Sequence, residues 1–89
     1  GISYHVFEVV AEDPNRARLS LAKQKAITSI TQLGVRLRVL IPKEVDDALQ
    51  LIASTLKNSE VQAEVDQVLP DLEDVFVAVT QSRREGMSA

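Results

Sequence analysis

The 89-residue chain has no cysteine, one histidine, three glycines, three prolines, one tyrosine and two phenylalanines. Each scarcity removes a class of chemistry. Without cysteine there is no disulfide, no thiolate metal site and no thiol nucleophile. The glycines are Gly1, Gly34 and Gly86, and no lysine follows any of them. A phosphate loop, which needs a glycine-rich run closing on Gly-Lys-Ser/Thr, is therefore excluded from these residues. His5 has no second histidine to share a metal with, and it sits in a strand-like run beside Phe7 and Val9, which favours a structural role. The longest unbroken apolar run, Val75 to Val79, is far too short to span a bilayer. No charged-then-apolar leader opens the chain.

What is present is one domain's worth of patterned sequence. The net charge is −3, but it is unevenly spread. Residues 1–43 hold seven basic and three acidic side chains, whereas residues 44–89 hold three basic and ten acidic ones. Two solvated faces of opposite sign, or a surface that orients the domain against a charged partner, both fit this split.

Tyr4 to Ala11 reads as a strand, with His5, Phe7, Val9 and Ala11 on one face and Tyr4, Val6, Glu8 and Val10 on the other. Asp13 as N-cap and Pro14 at the first helical position predict a helix running to about Lys25. Its inward residues are Ala17 and Leu21, with Leu19 and Ala22 as further candidates. Ala26 to Leu33 and Val35 to Ile41 read as strands joined by a turn at Gly34. Glu44 to Leu56 is the best-patterned helix, with Val45, Ala48, Leu49, Ile52 and Leu56 on one stripe and Asp46 and Asp47 in its first turn. Glu60 to Val68 is a strand with Val61, Ala63 and Val65 inward.

The last patterned segment carries the most agreeing signals. Pro70 ends the strand and Asp71 can cap the first turn of a helix over about 71–84. Glu73 and Asp74 suit the positive end of its dipole, a simpler account of the pair than a metal or acid–base site. Leu72, Val75, Phe76 and Val79 fall at i, i+3, i+4 and i+7, an apolar stripe expected to dock. Arg83 and Arg84 favour its C-terminal end, and Gly86 is a natural stop.

The string Pro70-Asp71-Leu72-Glu73-Asp74-Val75-Phe76-Val77 also resembles the Pro-Ser-Leu-Glu-Asp-Val-Phe-Leu signature that closes the C-terminal accessory domain of ATP-binding subunits in ABC-type exporters of the ABC-2 permease class. Thr80 extends the match. Asp71 stands where serine is usual, which keeps an N-cap residue there. Val77 and Val79 replace leucines, and Gln81 replaces a frequent glycine. The resemblance is sharp over residues 69–80 and rests elsewhere on element order. It implies a non-catalytic, regulatory or assembly domain, with ATP and magnesium handled by a preceding ATPase domain of the same chain. It further implies a transmembrane permease partner and a place in the cytoplasm at the inner face of the membrane. A homodimer is left open. Because the chain opens on Gly1 and enters a strand almost at once, it is expected to be a piece of a longer protein.

The order β-α-β-β-α-β, then α, predicts an α+β fold: a ferredoxin-like antiparallel sheet with two helices on one face and an added C-terminal helix. One sheet face is then bare, carrying Tyr4, Val6, Val10 and Leu40 among Glu8, Arg36, Arg38, Glu64 and Asp66. The terminal stripe is expected to fold back over those apolar residues, with docking on another domain or a second copy as the alternatives. RNA readers of similar build need aromatics on the open faces of the central strands, and Val35 to Ile41 has none. No nucleic-acid partner is expected. The acylphosphatase loop is not matched either, since Glu12-Asp13-Pro14-Asn15-Arg16 offers an arginine without glycines. A free-standing amino-acid-sensing module shares the element order, but it binds through glycine-containing turns and has no place for the terminal helix.

Overall fold

The computed structural model describes residues 3–72, 74, 76 and 80. These form strands β1 (Tyr4–Ala11), β2 (Ser29–Leu33), β3 (Arg36–Pro42) and β4 (Ala63–Val68), with helices α1 (Pro14–Leu21) and α2 (Ala48–Asn58). The strands make one antiparallel sheet in the order β2-β3-β1-β4. β1 and β2 therefore run parallel with β3 between them, and β3 and β4 run parallel with β1 between them. Each helix bridges one such pair, so both crossovers skip a strand.

Both helices lie on the face where alternation puts the strictly apolar residues. Phe7, Val9 and Ala11 of β1 and Leu37, Val39 and Ile41 of β3 pack with Ala17 and Leu21 of α1 and with Ala48, Ile52 and Leu56 of α2. The nine largest fully buried side chains include Phe7, Leu21, Leu37, Ile41 and Ile52, so this layer carries most of the hydrophobic stabilisation. Between the helices, Ser20 donates to the Thr55 carbonyl and shares a short hydrogen bond with Ser59, while Arg16 donates to the Ser59 carbonyl at 2.9 Å. These contacts satisfy polar groups where the helix ends meet.

Several elements are shorter than periodicity predicts. Asp13 caps α1, accepting from the Arg16 N–H at 3.2 Å with Pro14 in the first turn. The helix stops at Leu21 rather than near Lys25, and Leu19 and Ala22 are exposed rather than inward. β2 begins at Ser29, not Ala26. Val35 is 57% exposed because it shares the turn with Gly34, whose φ of 64° is the left-handed conformation that a two-residue hairpin turn demands. At the start of α2 the turn 43–47 displaces the expected first helical turn. Asp47 is left-handed at φ 53° and makes no side-chain cap, so neither Asp46 nor Asp47 lies inside the helix. Leu49, expected inward, is exposed.

The C-terminal end of α2 is well determined despite lacking glycine. The Glu60 N–H donates to the Lys57 carbonyl at 3.0 Å and the Val61 N–H to the Leu56 carbonyl at 2.9 Å, with Glu60 at φ 56°. This is the Schellman pattern, and the buried pair Val61 and Leu56 supplies its apolar contact. Residues 60–62 belong to that cap, and β4 starts at Ala63.

Candidate functional site

The second face of the sheet is where the apolar and charged residues mix. Register places them in three rows. Ser29, Leu40, Val6 and Val68 form the first, Thr31, Arg38, Glu8 and Asp66 the second, and Leu33, Arg36, Val10 and Glu64 the third. Burial falls steeply from row to row. Val6 and Leu40 are fully buried and pack with Tyr4 and Val68. Val10 and Leu33, by contrast, are 39% and 63% exposed. An antiparallel sheet with one uncovered face would not show this gradient. Among the described residues beyond β4, Leu69, Pro70 and Asp74 return to Arg38, Val6 and Leu40 in the first two rows.

The join is made by arginine and aspartate. Asp74 is almost fully buried, and Arg38 grips it in a bidentate fork, Nε to one carboxylate oxygen at 2.7 Å and Nη2 to the other at 2.9 Å. The remaining Nη1 of Arg38 donates to Glu8 at 2.8 Å, and Nη2 also reaches the Leu69 carbonyl at 3.4 Å. Asp71 lies 3.7 Å from the same guanidinium. Paired parallel hydrogen bonds of this kind are stronger and more directional than a single charge contact. The guanidinium holds the Asp74 carboxyl below its ordinary range despite the opposing effect of burial. In return Asp74 raises the Arg38 pKa.

Asp74 is placed by the helix start itself. The Asp71 carboxylate accepts from the Asp74 N–H at 2.9 Å, and the Asp74 carboxylate accepts from the Asp71 N–H at 2.9 Å. This is a capping box with aspartate at the third helical position in place of the usual glutamate. Asp71 is therefore the N-cap that the sequence predicts. Asp74 does more than compensate a dipole, since it closes the box and reaches the sheet with the same carboxylate. Leu72, Asp74, Phe76 and Thr80 are helical, and the Thr80 hydroxyl donates to the Phe76 carbonyl at 2.9 Å.

Two residues of the expected stripe, Leu72 and Phe76, do not face the sheet, being 88% and 73% exposed. The physical reason is angular. Asp74 lies about 200° around a helix from Leu72 and about 200° from Phe76, at roughly 3.6 residues per turn. Once Arg38 takes Asp74 into the sheet, both apolar side chains must face away. Glu73, Val75 and Val79 lie outside the described residues, as do Arg83, Arg84 and Gly86. Pro70, exposed itself, borders a hollow of about 170 Å³ together with Ser3, Tyr4, Val6, Leu40, Lys43 and Asp74.

Other candidates stay apart from this site. The Gln67 side-chain N–H donates to His5 Nδ1 at 3.1 Å, and the imidazole meets Phe7 edge-on, with ring centroids 6.4 Å apart. Among the described residues, no three histidine, aspartate or glutamate side chains are grouped to hold a metal. No helix among them is long and apolar enough to cross a membrane. The residues that reading by segment passes over are Arg38 and Glu8. The available signal was the Asp71-x-x-Asp74 spacing of a capping box, together with an arginine amid the bare face.

No family model, no curated protein and no solved structure matches the chain.

Proposed function

We propose that this chain is a non-catalytic accessory domain of the ATP-binding subunit of an ABC-type exporter of the ABC-2 permease class, and that its fold is ferredoxin-like. The observation that carries the reading is the Pro70-to-Thr80 string, in which Asp71 does the capping work of the family's serine. The sheet order supports the fold assignment: read from the β4 edge it is 4-1-3-2, with both crossover helices on one face. On this reading ATP and magnesium are bound by a phosphate-loop domain that precedes residue 1. The domain contributes contacts to that ATPase domain and to the permease at the inner face of the membrane.

Two measurements test it. Calorimetric titration of the 89-residue chain with Mg-ATP should show no saturable binding, and micromolar binding would contradict a non-catalytic role. In the full-length subunit, removing residues 69–89 should lower export or subunit level more than nucleotide affinity. An upstream sequence without a phosphate loop, or truncation without effect on export and level, would refute the assignment.

A further inference from the structure

The joint between the terminal helix and the sheet divides into two separable halves. One half stays with the sheet: Arg38, oriented by Glu8, beside the apolar surface of Tyr4, Val6 and Leu40. The other half travels with the helix. The reciprocal Asp71–Asp74 hydrogen bonds are local to the helix start, so they belong to the half that travels. Only Leu69 and Pro70 separate the end of β4 from the cap at Asp71, and both are exposed, Leu69 at 88%. The helix start is thus an acidic plug and the sheet a basic socket with an apolar floor.

We propose that the socket around Arg38 also accepts the terminal helix of a second copy of this chain, giving an exchanged dimer in which each Asp74 closes on the partner's Arg38. Charge and shape complementarity are already displayed within one chain, and every identical chain offers the same two halves. Exchange of an identical element needs no new contact, only a changed path between Val68 and Asp71. A tethered helix competes at an effective concentration on the order of millimolar, so the closed single chain prevails in dilute solution. Exchange takes over where the internal joint is broken or the chains are held together. The inference rests on the joint alone and does not depend on the proposed role in transport.

Tyr4 makes the test direct, because it is the only tyrosine, the chain has no tryptophan, and it is 8% exposed beneath the covered rows. An acceptor chain carries Asp74→Lys, which repels its own Arg38. A donor chain carries Arg38→Gln and Tyr4→Phe, so its helix is intact, its socket is broken and it is silent in tyrosine fluorescence. Acrylamide quenching of the acceptor alone should rise several-fold above the unsubstituted chain. Excess donor should bring it back towards the original value, and sedimentation should show a complex of two chains. Hydrogen exchange at the buried β1 and β3 amides reports in parallel that both chains remain folded. Should Asp74→Lys disturb that core, Asp74→Asn serves as the milder acceptor. A folded acceptor whose Tyr4 stays open with millimolar donor overturns the proposal. So does restoration by a control donor that also carries Asp74→Lys, since the socket would then take any helix.

Discussion

The two faces of the sheet are covered by different physics. On the helix side, Phe7, Val9, Leu37, Val39 and Ile41 meet two helices through apolar contact alone, and alternation suffices to build it. On the other side, half the face is shielded by a segment whose grip is an arginine fork on one buried carboxylate. The first cover is broad and non-directional. The second is narrow and directional, so it fixes which side of the terminal helix faces the protein. The directional joint thereby leaves Leu72 and Phe76 in water.

The largest effect expected from breaking this contrast lies on the helix side. Phe7→Ala should cost about 3–5 kcal/mol in urea unfolding, since it empties a fully buried aromatic site. The loss should appear as a single cooperative transition shared by all probes.

On the opposite face, Asp74→Asn should cost about 1.5–3 kcal/mol of docking free energy, the scale of hydrogen bonds to a charged partner. Partial exposure of the Arg38 side chain places the value toward the lower end. Tyr4 quenching should report this opening while hydrogen exchange in β1 and β3 stays near its original rate, because the cover opens as a local unit. Simultaneous loss of both would show that the two faces are one cooperative unit. Acid should act through the same group. The folded Asp74 carboxyl titrates below its unfolded value, so its contribution is fully present above the ordinary aspartate range. It is lost as pH falls through the depressed folded value. Tyr4 exposure should therefore follow pH only in strongly acidic solution, and in Asp74→Asn this acid-induced step should be absent.

A smaller effect tests the hairpin that sets the rows in register. Gly34→Ala should cost about 1–2 kcal/mol from its left-handed φ, although a methyl group would meet nothing within 4 Å. A cost above that range in chemical denaturation would reveal crowding at the turn. The smallest effect belongs to Phe76→Ala, expected within about 0.5 kcal/mol because the side chain lies in water. A loss of several kcal/mol would mean that the stripe, and not Asp74, faces the sheet.

The chain's own patterns determined the element order, the two faces of β1, the inward Ala63 and Val65 of β4, the Asp13 and Asp71 caps and the turn at Gly34. Each depends on residues close in sequence, where steric and capping preferences act at short range. Element ends were less legible. The start of α2 yielded to a left-handed Asp47, and the start of β4 yielded to a helix cap built on Glu60, a residue type that does not advertise that conformation. Tertiary structure alone decided how the terminal helix lies. Its stripe of Leu72 and Phe76 states an apolar side but not a destination. Arg38 and Asp74 stand 36 residues apart, and neither one's neighbours mark it as a partner. Only when β3 aligns with β1 does Glu8 come to hold one end of Arg38, leaving the fork aimed at Asp74. With Asp74 held against the sheet by that fork, Leu72 and Phe76 fall on the opposite side of the helix, and that is a relation between distant sites which no local pattern contains.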